Sequence, residues 1–336
     1  LLWRRPGYPV DTLWWGPTSM CLDEARNGLW ISLCKGLCYF YSFASNNITK
    51  KMQGGGNLRG IDVDSAGNVY VVDAWSTDAV CKFSAAVING SSANPPIPWS
   101  SHVSLFDCKF NSQDISGSLG VCGVAISGNQ LIAGDNYRVL FWNDYRAART
   151  GQPADGAIFA HAAFPRADTA GRLWVSSSVP MRGITGDDWW TLKVFNAPLR
   201  ADSQPEKIIS AVNLETREGV QFQGNFQDFI KFAPIGSGDA DWIAHSGGFG
   251  HGVVRLVNLK KERAPGRGAY VDVVLGRTSI ADPGNFVNGK YVPRIDTIYM
   301  AVGIQLDPDG NLWVLDKGKS DDGIGTRMLK FSASTI

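Results

Sequence analysis

One stretch of this chain is written twice. Gly60-Ile61-Asp62-Val63-Asp64-Ser65-Ala66-Gly67-Asn68-Val69-Tyr70-Val71-Val72-Asp73 is followed in kind, position by position, by Gly303-Ile304-Gln305-Leu306-Asp307-Pro308-Asp309-Gly310-Asn311-Leu312-Trp313-Val314-Leu315-Asp316. Lys82-Phe83-Ser84-Ala85 follows the first unit, and Lys330-Phe331-Ser332-Ala333 follows the second. Repetition of this kind marks a small structural unit that hides its apolar faces against its neighbours. The unit reads as strand, turn, strand, loop, strand. Ile61 and Val63 alternate with polar residues, as in a half-buried strand. Asp64 to Asn68 supplies turn chemistry, with a glycine that tolerates positive φ and Asx side chains that bond local backbone. Val69 to Val72 is a short apolar run, which fits a strand covered on both faces.

Weaker copies fill the rest of the chain. Gly28-Leu29-Trp30-Ile31 precedes Tyr39-Phe40-Tyr41. Gly123 to Ile126 leads to Leu131 to Asp135 and then Arg138 to Asn143. Asp168 to Gly171 turns into Leu173-Trp174-Val175, followed by Leu192 to Asn196. Phe229 to Phe232 leads to Asp241 to Ala244 and then Val253 to Val257. Ala154 to Phe159 and Val271 to Leu275 each follow a third strand, where a fourth, outer strand belongs. The count is six. Over 336 residues that gives about 56 residues per unit, above the roughly 40–50 of a typical propeller blade. The excess falls in two long loop insertions, 89–117 and 198–223. The expectation is therefore an all-β, six-bladed β-propeller, one domain over 1–336, with four-stranded antiparallel blades around a central channel. Ring closure calls for a strand from one terminus beside the other, and Val10 to Trp15 is the segment expected to lie beside Leu329 to Ser332.

Composition agrees with a globular chain and narrows its partners. Hydrophobic residues make up 44% and charged residues 19%, enough apolar content for a self-sufficient core. A net charge of +1 lacks the basic stripe that nucleic acid requires. No run reaches the roughly 18 apolar residues of a transmembrane helix. Cys21, Cys34, Cys38, Cys81, Cys108 and Cys122 are even in number and include no CxxC pair, so they are expected as disulfides in an oxidising compartment. Six cysteines allow 15 pairings. The triplets Asn47-Ile48-Thr49 and Asn89-Gly90-Ser91 are N-glycosylation acceptors and point the same way. Leu1, in place of a methionine, is read as the start of a mature chain whose leader has gone. Together these place the protein outside the cell or on its surface.

The repeated pattern Gly-Ile-x-Val-Asp-x-x-Gly-Asn-Val-Tyr-Val-x-Asp, at Gly60 to Asp73 and at Gly303 to Asp316, resembles the bacterial NHL-repeat propellers. Leu131-Ile132-Ala133-Gly134-Asp135-Asn136-Tyr137-Arg138-Val139-Leu140 is similar to the family's aspartate, asparagine and arginine-valine-leucine core. The resemblance implies a six-bladed fold. It implies no single activity, because function resides in sites rather than folds.

Related six-bladed propellers hold a metal at the channel mouth, which singles out Asp73, Asp135, Asp316 and His245 after the second strands. His251 shares a glycine-rich loop with His245, and imidazoles are good transition-metal ligands. A calcium or zinc ion there would serve a hydrolase or lyase, the alternative reading. The plainer expectation is that these aspartates cap loops. Ser32 and Ser176 occupy the matching places in two other units, so the ligand set is incomplete, and no cofactor is expected. The chain has no Gly-x-Ser-x-Gly elbow, and Gly54-Gly55-Gly56 lacks the lysine of a phosphate loop. Tryptophan is in surplus at 12. Trp14, Trp15, Trp75, Trp99, Trp189 and Trp190 fall in connectors or ambiguous segments, where indoles either pack between blades or offer flat apolar faces to a sugar or a protein; Trp14, Trp15, Trp75, Trp189 and Trp190 are the candidate partner-binding residues. The leading expectation is a non-enzymatic binding or structural module. Its partner would be a protein, a glycan or copies of itself, the last as subunits of a homopolymer.

Overall fold

The computed structural model of the chain describes residues 3–4, 16–74, 79–107, 123–134, 138–159, 164–168, 171–176, 191–210, 214–216, 221–222, 231–232, 240–245, 252–257, 270–275, 286–287, 290–291, 298, 301–316, 326–334 and 336. Apolar runs of four to seven residues, broken by Gly, Asn and Asp turns, fold these segments into small antiparallel sheets. After β1 (Trp3–Arg4), the first sheet runs β2 (Pro17–Asp23), β3 (Gly28–Leu33), β4 (Leu37–Ser42) and β5 (Asn47–Gln53). The second holds β6 (Leu58–Val63), β7 (Val69–Asp73) and β8 (Ala79–Phe83). The chain then forms a short helix, α1 (Ala85–Asn89), and β9 (Ile97–Pro98) before β10 (Val103–Asp107) completes that sheet.

The third sheet is β11 (Gly123–Ser127), β12 (Gln130–Gly134), β13 (Arg138–Trp142) and β14 (Gly156–Phe159). The fourth is β15 (Phe164–Ala167), β16 (Leu173–Ser176), β17 (Thr191–Phe195) and β18 (Lys207–Ser210). A larger sheet follows, built from β19 (Leu214–Thr216), β20 (Gln221–Phe222), β21 (Lys231–Phe232), β22 (Ala240–His245), β23 (Gly252–Val257) and β24 (Tyr270–Leu275). A hairpin, β25 (Phe286–Val287) and β26 (Lys290–Tyr291), precedes the last sheet. There β27 (Ala301–Leu306), β28 (Leu312–Asp316) and β29 (Arg327–Phe331) accept β1 as their fourth strand.

The sheets stack face to face. Trp30, Phe40 and Met52 of the first pack with Ile61, Val71 and Phe83 of the second. Tyr70, Val72 and Val80, from the other face of the second, meet Val124, Leu140 and Trp142 of the third. Phe141 and Ile132 of the third pack on Leu173, Val175 and Phe195 of the fourth. Met20, Leu29 and Ile31 of the first meet Trp313, Leu315 and Met328 of the last, so the chain's two ends share one core. Each fully buried aromatic or aliphatic side chain contributes about 1.5–3 kcal/mol. This is a β-propeller arrangement, as the repeats predict.

Five sheets have regular blade topology, one fewer than the six expected. The sheet of β19 to β24 departs because its inner strand β21 has two residues and its outer edge continues through β19, which lies parallel to β24. Three further expectations need correction. The strand that joins β29 is Trp3–Arg4, paired Trp3 with Met328 and Arg4 with Arg327, whereas Val10 to Trp15 lies outside the described residues. The stretch 89–117 is not only loop: β10 is the outer strand of the second sheet, and β9 adds in parallel to β5. Likewise 198–223 contains β18, the outer strand of the fourth sheet. Both strands are short and polar-flanked, and this is why pattern alone missed them. No helix among the described residues is long and apolar enough to cross a membrane.

Candidate functional site

The innermost strands run side by side in one direction, which gives the ring two unlike ends. Thr18, near the start of β2, donates from its hydroxyl to Leu58 O at the start of β6 (2.8 Å). Turns likewise meet turns. Arg26 Nη2 donates to Gly67 O at 2.8 Å, and Ser127 Oγ donates to Gly171 O at 3.2 Å. We call the end where the innermost strands begin the entry end, and the other the turn end.

At the turn end a buried carboxylate recurs. Asp64 Oδ1 accepts from the backbone N–H of Ala66 and Asn68, and its Oδ2 accepts from the Tyr70 hydroxyl at 2.9 Å. Asp307 does the same for Asp309, Asn311 and Trp313, whose indole N–H lies 2.8 Å from Oδ2. Asp168 takes Arg172 N and the Trp174 indole N–H, and Asp23 takes Arg26 N and the Trp30 indole N–H. The repeated closing string now has a cause. Asn68 and Asn311 each use their side-chain oxygen to accept from the backbone of Ala85 and Ala333. Lys82 and Lys330 each lie over the aromatic ring of the clasp, at 5.7 Å from Tyr70 and 5.1 Å from Trp313. Burial pushes the Asp307 carboxyl up, but hydrogen bonds from Trp313 and Asn311 and the Lys330 ammonium outweigh it, so it titrates below the ordinary range. The same burial, with Asp64 beside it, raises the Tyr70 phenol. This end is locked.

Among the described residues an arginine reaches across the ring. Arg166 of β15 reaches the innermost strands of two other sheets, donating to Ser19 Oγ, to Met20 O at 3.0 Å and to Ile61 O at 3.3 Å. It stands two residues before the clasp Asp168, and Asp62 stands two before the clasp Asp64, so opposite charges hold one repeat position. Burial holds the Asp62 carboxyl above the ordinary range, although Arg166 and the N–H groups of Ile126 and Val63 pull it down. Thr18, Ser19, Gly60, Gly123, Val124, Phe164, Pro165 and Arg166 line a shallow depression with about 260 Å³ of empty space, part of it open. Its enclosed part has room for roughly one water. Glycine is needed at Gly60, because a Cβ there would lie 2.7 Å from Gly123 Cα.

The expected ligand residues divide by placement. Asp73 is fully buried and accepts from Gly56 N at 3.2 Å, and Asp316 is fully buried in an ion pair with Arg327 Nε at 2.8 Å. Both cap the entry end of a second strand. Asp135, His251, Trp14, Trp15, Trp75, Trp189 and Trp190 lie outside the described residues, and His245 is placed only as the last residue of β22. The neighbours that are described do lie at the entry end: Gly16 before β2, Ala74 after β7, Gly134 at the end of β12 and Thr191 at the start of β17. Among the described residues no group of three or more His, Cys, Asp or Glu side chains could hold a metal.

Trp99, one of the tryptophans read as lying in connectors, turns inward. It packs on Gly54 and Gly55, both at positive φ, and a Cβ on Gly54 would lie 2.2 Å from Trp99 Cβ. Its indole N–H and the Asn57 side-chain oxygen are buried and have no partner among the described residues. The Gly54 to Gly56 run, expected as a connector, is that and also the bed for this indole. No disulfide joins the four described cysteines, Cys21, Cys34, Cys38 and Cys81, to one another, and Cys108 and Cys122 lie outside the described residues. Cys21, Cys38 and Cys81 fill one apolar cluster between the first two sheets, where burial raises the Cys21 and Cys38 thiols.

No family model matches the chain, and no curated protein matches it. Among solved structures it is similar to a chain in the crystal structure of a mitotic checkpoint complex, at 14% identity and a TM-score of 0.48, over 95% of this chain and 75% of that one. Likeness at that level carries no argument about function. It is the chain's own stacked sheets that make it a β-propeller.

Proposed function

We propose that this is an exported or cell-surface, six-bladed propeller of the NHL-repeat type that binds protein without catalysis, through its entry end, with copies of itself as the first partner. The sixth blade is the sheet of β21 to β24. In support, β27 lies against β2, β2 against β6, β6 against β11, β11 against β15, β15 against β21 and β21 against β27, which returns the circuit to its start. The NHL assignment rests on the two long repeats and on the clasp they share.

The observation that carries the binding reading is the contrast between the two ends. At the turn end the carboxylates are consumed by turns and aromatic donors, and between the ends Arg166 ties the innermost strands of three sheets together. At the entry end Asp73 and Asp316 are committed to protein partners, which supports a surface that recognises rather than one that reacts. The connectors that carry Trp14, Trp15, Trp75, Trp189 and Trp190 depart from this end, and Trp side chains dominate binding energy where they are desolvated.

Sedimentation of the purified chain at rising concentration, without reductant, tests the reading. The expected result is concentration-dependent association that weakens in the Trp189→Ala/Trp190→Ala variant. A monomer at every concentration would remove self-association. Stoichiometric bound metal with turnover of an ester or lactone would replace the reading with the hydrolase alternative.

A further inference from the structure

We propose that Asn47 and Asn89 are a pair of N-glycosylation sites that clothe one corner of the turn end, an inference that rests on the exported reading above. Asn47 opens β5, opposite Ser42 of β4, and Asn89 ends α1; both side chains are exposed. Each carboxamide is held by its oxygen. Ile48 N donates to Asn47 Oδ1 at 2.8 Å, and Arg26 Nε donates to Asn89 Oδ1 at 2.8 Å. No described group accepts from either Nδ2, and both residues are exposed. That nitrogen is the atom that a sugar acceptor needs.

The two sequons are neighbours in space. Lys50, three residues after Asn47, donates from Nζ to Ser91 O at 2.9 Å, and Ser91 completes the second sequon. Arg26, which holds Asn89, also bonds Gly67 O in the turn of the second sheet. Both sites therefore sit where the first two sheets meet, at the end opposite the proposed partner surface. A glycan on Nδ2 leaves Oδ1 and its hydrogen bonds intact, so the modification and the fold are compatible.

The chemistry is a group transfer with no change of oxidation state. The carboxamide nitrogen bonds to the anomeric carbon of an oligosaccharide carried on a polyprenyl diphosphate. The carbon–oxygen bond to the diphosphate breaks, the lipid diphosphate leaves, and the amide proton passes to a base.

The test is to express the full chain behind an export signal in eukaryotic secretory cells. Medium and cells are assayed separately, and glycan is removed enzymatically in heavy-oxygen water, which marks each vacated asparagine. Two marked sites are expected, one lost in Asn47→Gln, one lost in Asn89→Gln, and both lost in Thr49→Ala/Ser91→Ala, which keeps both asparagines. Chain in the medium with neither site marked overturns the proposal and leaves export standing. Marked chain retained in the cells upholds the sites and counts against export. Unmarked chain retained in the cells overturns both.

Discussion

Trp313 donates its indole N–H to Asp307 Oδ2 at 2.8 Å, from six residues further along the chain. Trp174 with Asp168 and Tyr70 with Asp64 repeat the relation at the same spacing. One carboxylate thus fixes a turn and anchors the first aromatic of the next strand. Replacing Asp307 by Ala leaves the Trp313 indole and the Asn311 backbone N–H without their acceptor. Each buried donor left this way costs about 1–3 kcal/mol. The thermal midpoint should fall by several degrees. In a double-mutant cycle with Trp313→Phe the two losses should be less than additive. Full additivity would show that the clasp does not act as one unit.

The same carboxylate makes stability depend on pH. Its folded pKa lies below the ordinary value of 3.8, so folding favours the ionised form. The stabilisation is full above that value and is lost as pH falls through the lower folded value. Asp307→Asn has no such charge to lose. The difference in unfolding free energy between the two proteins should shrink as pH drops below about 4. A constant difference from neutral pH to the acid limit would contradict this.

Arg166 acts through the axis. Its bonds to Met20 O and Ile61 O tie three sheets together. Hydrogen bonds to a charged group contribute about 1.5–3 kcal/mol each. Arg166→Met should lower the denaturant midpoint strongly. Arg166→Lys should restore little, because an ammonium has no planar fork to reach two carbonyls on different strands. Full rescue by lysine would show that charge alone matters.

The thiols report on the core between the first two sheets. Cys38 and Cys81 have no exposed surface and Cys21 is 3% exposed, whereas Cys34 is partly open at the β3–β4 turn. A thiolate is the reactive form, and burial disfavours it. Alkylation of the native protein followed by peptide mass mapping should label Cys34 first and spare the other three until unfolding. A native protein in which Cys38 or Cys81 is labelled as fast as Cys34 would contradict this.

How much of this was legible in the sequence depends on range. The repeats from Gly60 and Gly303 announce strand, turn and strand because those contacts are local, and β7 and β28 lie where they predict. Asp64 and Asp307 are readable as turn residues, but their hold on Tyr70 and Trp313 needs the strand pairing to be known. The closing strand was mislocated because two residues, Trp3 and Arg4, carry no periodicity. Arg166 was passed over because a single arginine in a short strand looks like surface, and only the ring brings Met20 and Ile61 to it. An even cysteine count is shared by disulfides and by small core residues, and only the strand pairing places Cys21, Cys38 and Cys81 in the core. The tryptophan pairs lie outside the described residues, so that part of the site rests on the described strand ends beside them.

Density viewed down the channel axis most directly tests whether six sheets close a single ring. Six radial sheets are expected, with residues 231–275 forming the one between β15–β18 and the sheet that β1 completes. Five sheets, seven sheets, or two separate cores would contradict it.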